Sequence, residues 1–269
     1  MTRRELLGLA GIAGVVGGVA TISGVLGYLA MRDRSDDRPK YVVVTDTPTN
    51  QAVVLPTPSP TFAYPRPTIV SRANWGARLP DHTALYESGF YSAENPGGWR
   101  EYEGELRDNY QTVVVHHSAM YETDDITTMR TIQNLHMDGR GWADIGYHFG
   151  VGRNGAIFEG RALNVRGVHV EGYNQGSAGV VFFGNFEKAS NISQNQLTQE
   201  QFQAGIMLIS WLATHLALTH IAGHRDFNSN TKCPGEHLYA YLSELAAATG
   251  LIRGPEGYVP PPEQQTPSA

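Results

Sequence analysis

Proline constrains this chain more than any other residue. It recurs at Pro39, Pro48, Pro56, Pro58, Pro60, Pro65 and Pro67, and again at Pro255, Pro260, Pro261, Pro262 and Pro267. Between these two clusters it stands only at Pro80, Pro96 and Pro234. Proline has a fixed φ and no N–H for a helix or a sheet ladder. Segments this dense in it stay extended and build no core. Residues 38–67, where threonine also recurs, therefore read as a Pro/Thr-rich linker. Residues 254–269 read as a disordered Pro-rich tail. What can pack lies in 68–253, a length that suits one domain.

Ahead of the linker, Leu6 to Met31 carries no charged residue and follows directly on Arg3, Arg4 and Glu5. About 20 apolar residues suffice to cross a bilayer. Thr2-Arg3-Arg4 with Leu6-Leu7 before such a run is similar to a twin-arginine export signal. A plain signal-anchor helix is the other reading. Tyr28-Leu29-Ala30 lacks the small outer residue of a cleavage site, which favours retention. Residues 1–37 are thus expected to be a twin-arginine-like signal or a membrane anchor. The positive-inside count opposes export, because Arg32, Arg34, Arg38 and Lys40 outnumber Arg3 and Arg4. The chemistry below favours a domain in the cell envelope or secreted.

The net charge of -6 excludes nucleic acid as the expected partner. With one cysteine, Cys233, no intrachain disulfide is available.

Within the domain, Thr112–His116 is a β-branched run that reads as a buried strand. Asp125 is placed to cap a helix carrying Met129, Ile132 and Leu135, which Gly139 and Gly141 end. Asn154-Gly155 between Tyr147–Val151 and Ala156–Glu159 is a hairpin signal. Ala178–Phe183 is a further strand. Thr198 and Gln201 form a capping box before a helix with Phe202, Ile206, Ile209, Leu212 and Leu216 on one face. His237–Ala247 reads as a last helix. Residues 79–110, rich in Gly, Glu and Tyr, read as irregular and without an assigned role. The fold class expected is α/β: a single domain with a central mixed β-sheet and helices packed on it.

The chemistry concentrates in Gly223-His224-Arg225-Asp226 through Thr231-Lys232-Cys233-Pro234-Gly235. Imidazole nitrogen and thiolate sulfur are ligands that zinc prefers. One cysteine cannot build a closed structural site, but a catalytic site needs only three protein ligands. The third donor is expected from His116-His117, and spacing does not choose between them. The alternative is a hydrogen-bonded core histidine beside an inert buried thiol. Zinc held in this way polarises a carbonyl and lowers the pKa of water, which suits amide or ester hydrolysis. Tyr147 is the candidate oxyanion donor, since strand alternation puts it on one face with Phe149 and Val151. His82, His136, His148, His215, His220 and His237 read as locally hydrogen-bonded residues.

Several motifs occur together in order. They are Ser71-Arg72-Ala73-Asn74-Trp75-Gly76-Ala77, Val113-Val114-Val115-His116-His117-Ser118-Ala119 and Gly141-Trp142-Ala143-Asp144-Ile145-Gly146-Tyr147-His148-Phe149. Gly172-Tyr173-Asn174 with Ser177, Gly184-Asn185-Phe186 and the His224–Cys233 loop follow. Over roughly 69–247 this order resembles the zinc-dependent N-acetylmuramoyl-L-alanine amidases, the family that includes phage amidases and animal peptidoglycan recognition proteins. The resemblance implies zinc ligands at His116, His224 and Cys233. It implies catalytic roles for Tyr147 and Thr231, and a substrate groove lined by His169 and Asn174. His117 is then a groove or packing residue rather than a ligand. The implied partner is peptidoglycan or muropeptides, met by a monomeric domain. Two features depart from the family. The His224–Cys233 loop is one residue longer than in the animal proteins, and Val180-Val181-Phe182-Phe183 offers no carboxylate where some relatives have one. Members lacking a ligand bind the wall without cutting it, so a recognition module is the second reading. A zinc amidase acting on a non-wall amide is the third.

Overall fold

In a computed structural model, residues 64–120, 124–188 and 196–259 are described. The expected signal or anchor (1–37), nearly all of the linker (38–67) and the end of the tail lie outside them. Among the described residues no helix is long and apolar enough to cross a membrane.

Among the described residues, seven strands form one sheet: β1 (Ile69–Val70), β2 (Thr112–His117), β3 (Phe149–Val151), β4 (Ile157–Glu159), β5 (Ser177–Phe182), β6 (His220–Gly223) and β7 (Ile252–Arg253). Their order is β1-β4-β3-β5-β2-β6-β7. β3 and β4 are the antiparallel hairpin announced by Asn154-Gly155. The other neighbours run parallel. The sheet is therefore mixed, as expected from the sequence.

Six helices among the same residues accompany it: α1 (Arg72–Trp75), α2 (Asp125–Asn134), α3 (Gln199–His215), α4 (His224–Phe227), α5 (Glu236–Ala240) and α6 (Leu242–Thr249). Side chains on a strand alternate between faces. Val113 and Val115 of β2, with Val180 and Phe182 of β5, join Leu208 and Leu212 of α3 and Leu245 of α6 in the larger core. Val181 and Phe183 join Trp75, Met129 and Ile132 on the opposite face. Burying each large apolar side chain contributes about 1.5–3 kcal/mol. The same alternation sends His116 away from the larger core, towards the side of α2.

The Thr198 capping box is present: Gln201 N–H donates to Thr198 Oγ1 at 3.0 Å, and Thr198 N–H donates to Gln201 Oε1 at 3.4 Å. Other expectations shift. The cap of α2 is Asp124, which accepts from Thr127 N–H at 2.7 Å. Asp125 instead accepts from the backbone of Arg153 at 3.0 Å, tying α2 to the β3–β4 turn. The last helix is two, α5 and α6, meeting at Tyr241. The packed chain also runs past Arg253. Tyr258 donates its hydroxyl to the Gln175 carbonyl at 2.5 Å and packs against Tyr173 and Phe227. Proline density marked this segment as unable to build a core, but one tyrosine is enough to dock it on an existing aromatic pair.

Candidate metal centre and groove

The centre is assembled at the C-terminal ends of two adjacent strands. β2 lies between β5 and β6. The chain leaves β2 to build β3–β5 on one side of it and then crosses to β6 on the other. Such a reversal opens a crevice at the strand ends, where open α/β sheets bind ligands. His116 is the penultimate residue of β2, and His224 directly follows β6 as the first residue of α4.

The loop after α4 returns Cys233 to the same point. Arg225 N–H donates to the Cys233 carbonyl at 2.9 Å, and the Arg225 guanidinium also bonds the Lys232 carbonyl. Asp226 secures the loop from below. It accepts from Gly223 N–H and the Tyr239 hydroxyl, each at 2.6 Å, and pairs with Arg253 of β7 at 2.6 Å. These contacts hold its carboxyl below the usual carboxylate range against the cost of burial.

One donor atom from each of His116, His224 and Cys233 lies within 4.8 Å of the others. Cys233 Sγ is 3.5 Å from His116 Nδ1. Burial, then the neighbouring histidines, hold His116 well below its ordinary pKa, and burial also lowers His224. Both imidazoles are thereby kept neutral, the form in which histidine binds metal. Burial pushes the Cys233 thiol up to about 12. A buried thiol of this kind becomes a thiolate when a cation binds it. Two nitrogens and one sulfur, with no carboxylate in the set, fit zinc rather than calcium or magnesium.

His117 points to the other face. Its Nδ1 accepts from Phe186 N–H at 3.3 Å, so it takes no place among the three donors, although it borders the cleft. Tyr147 does reach the centre, its ring centroid 4.9 Å from that of His116. The expected route was wrong, however. The regular strand begins at Phe149, and Tyr147 precedes it, packing with the Trp75–Ile132 cluster while Phe149 and Val151 face the larger core. Burial and the adjacent Cys233 raise the Tyr147 phenol well above its ordinary pKa. Thr231 Oγ1 accepts from Cys233 N–H at 3.2 Å and lines the cleft.

His169 and Asn174 both border the neighbouring cavity. Asn174 commits its side-chain oxygen to the backbone N–H groups of His169 and Val170, at 2.6 and 2.7 Å. His169 is buried and bonds His116: His169 Nδ1 lies 3.0 Å from His116 Nε2. The cleft over Tyr147, Thr231 and Cys233 encloses about 210 Å³. Its neighbour, between Trp142, Val170 and Asn228, encloses about 450 Å³. His224 and Arg140 line both, so the two adjoin as one groove; Cys233 lines the first cleft, and His116 is fully buried and lines neither. His136, read from the sequence as a locally hydrogen-bonded residue, does accept from Gly146 N–H at 3.0 Å but also lines the cleft, and Arg140 beside it was not singled out. Their signal lies in three dimensions, since the π-helical turn Leu135–Gly139 and the turn after it swing both towards Tyr147.

Residues 79–110 acquire a role here. Glu87 forms a buried two-bond pair with Arg161, at 2.5 and 2.9 Å. Arg161 also donates to the carbonyls of Ile145, Asp144 and Arg166. Glu87 accepts in addition from Ala143 N–H at 3.0 Å. The irregular segment thus clamps the stretch that leads into Tyr147.

Residues 106–236 match the family model described as N-acetylmuramoyl-L-alanine amidase. Peptidoglycan-recognition protein LB of Drosophila melanogaster is 34% identical over 180 residues, which are 65% of this chain and 67% of that protein. Peptidoglycan-recognition protein SC2 of Drosophila simulans is 33% identical, over 64% of this chain and 83% of that protein. Among solved structures, a point mutant of Drosophila PGRP-LB in complex with tracheal cytotoxin superposes with a TM-score of 0.51. It shares 30% identity, and the match covers 68% of this chain and 96% of that one. The ordered motifs, the mixed sheet and these likenesses agree, and the chain belongs to the N-acetylmuramoyl-L-alanine amidase and peptidoglycan recognition protein family.

Proposed function

We propose that this protein hydrolyses the amide between the lactyl group of N-acetylmuramic acid and L-alanine in peptidoglycan, using zinc held by His116, His224 and Cys233. The observation that carries the reading is the convergence of those three donors within 4.8 Å of one another, two of them, His224 and Cys233, on the wall of the cleft. Bound there, zinc supplies Lewis-acid polarisation of a carbonyl and activation of water. The chain does the rest. The Tyr147 phenol, kept protonated by burial, donates a hydrogen bond to the oxygen that gains charge as the carbonyl is attacked. Thr231 holds the Cys233 loop through the backbone, and its O–H is a further donor facing the same cleft. The two arms of the groove take the sugar and the stem peptide on either side of the scissile bond.

The test is to incubate the purified full chain with intact peptidoglycan and analyse the soluble products by mass spectrometry. Stem peptides with a free L-alanine amine, lost on chelation and restored by zinc, are expected. Tyr147→Phe is expected to lower kcat by about 10²–10³-fold, the loss typical of one oxyanion donor. Zinc content is expected to stay at one per chain; loss of zinc in that variant would instead mark Tyr147 as structural.

A recognition module is the second reading, favoured by the names of the matched relatives and by the tracheal cytotoxin complex of one of them. Tight wall binding with zinc present and no peptide released would establish it. The site of action proposed is the cell envelope, with residues 1–37 as signal or anchor. Protease accessibility of the domain in intact cells tests that placement.

A further inference from the structure

We infer that His169 is a positioning residue for the metal ligand His116, not a substrate contact of the groove. This rests on the zinc reading of the His116–His224–Cys233 centre. His116 presents Nδ1 to Cys233, which leaves Nε2 as the nitrogen that carries hydrogen when Nδ1 binds metal. That Nε2 lies 3.0 Å from His169 Nδ1. His169 Nε2 in turn lies 3.2 Å from the Ser177 carbonyl, which can only accept. One pattern of hydrogens satisfies all three contacts. Ser177 O accepts from His169 Nε2–H, and His169 Nδ1 accepts from His116 Nε2–H. The chain of bonds fixes the His116 tautomer with Nδ1 free for metal and makes that nitrogen a better donor.

The surroundings are shaped for this ring. A Cβ on Gly179 would sit 2.7 Å from the His169 ring, and one on Gly167 would sit 2.5 Å from it. Both positions lack a side chain where the imidazole lies. The two rings meet edge-on, with centroids 5.1 Å apart. The backbone N–H of His169 is tied to Asn174, which fixes the residue at its root. Only 7% of His169 is exposed, which leaves little of it for a ligand in the groove to touch.

The test uses the full chain and reads zinc directly. His169→Phe keeps a ring of similar size and removes both nitrogens. His169→Gln offers an acceptor and a donor on one side chain. Zinc affinity, measured by competition with a chromophoric chelator, is expected to fall about 10–100-fold in His169→Phe, the usual cost of losing such a partner. In His169→Gln it is expected to stay within about threefold of the parent. Nitrogen-15 spectra of the zinc-loaded parent chain are expected to show hydrogen on Nε2 of both His116 and His169, a readout that needs no variant to fold. Unchanged zinc affinity in His169→Phe with a raised KM for muropeptide would overturn the inference and return His169 to the groove wall. Hydrogen on His169 Nδ1 would overturn it equally. Loss of zinc affinity in a chain that releases no peptide would leave the inference standing and remove the amidase reading alone.

Discussion

Cys233→Ser is expected to abolish amide hydrolysis while the fold survives. The metal's contribution to transition-state charge is worth several kcal/mol, and each ~1.4 kcal/mol is tenfold in rate. A fall of at least about a thousandfold in kcat/KM follows. A serine hydroxyl is nearly the size of the thiol but is a far poorer zinc ligand. The contacts that place residue 233 are made by its backbone, through Thr231 and Arg225, and persist in the variant. Zinc content by elemental analysis should drop with activity, while the circular dichroism spectrum should not change. A serine variant with full activity would sink the proposed mechanism.

The largest effect on stability is expected at Glu87→Ala. Arg161 is fully buried and its partner carboxylate is 2% exposed. Removing the carboxylate leaves the guanidinium with three carbonyls but no counter-charge. Breaking a buried pair from one side costs about 3–5 kcal/mol. For a domain of this size that lowers Tm by roughly 6–20 °C. Replacing both residues together, Glu87→Leu with Arg161→Met, should recover most of the loss, because the pair itself contributes little net stability. The same variant is expected to loosen Ala143–Ile145 and so to reduce activity through Tyr147. Thermal melts of the single and double variants decide the matter: a single variant melting within about 2 °C of the parent would contradict the buried-pair argument.

Much of this architecture was legible in the sequence because it is written in local signals. The Thr198 capping box, the Asn154-Gly155 turn and the β-branched run at Thr112–His116 each depend on a few neighbouring residues. The three donors were legible because their motifs occur in order along the chain. What escaped depends on distant partners. Glu87 looked like one more acidic residue in an irregular stretch, since nothing near it in sequence announces Arg161. His169 lines the groove as expected, but its bond to His116, 53 positions away, has no local signal in the sequence. Tyr147 was placed at the centre for an incorrect reason, because alternation was extended two residues beyond the start of β3. Asp124 and Asp125 are equally good caps by type. Only the demand of the Arg153 backbone for an acceptor tells them apart.

The pairing of β2 with β6 also bears on how the protein folds. His116 and Cys233 are 117 positions apart, and His224 reaches them only once the two strands lie side by side. Contacts of such long sequence separation close late, because the loop entropy is lost before they reward it. A cation that needs all three donors would find them together only in the folded domain. Its occupancy reports complete folding, and added zinc should raise Tm by mass action as its concentration exceeds Kd.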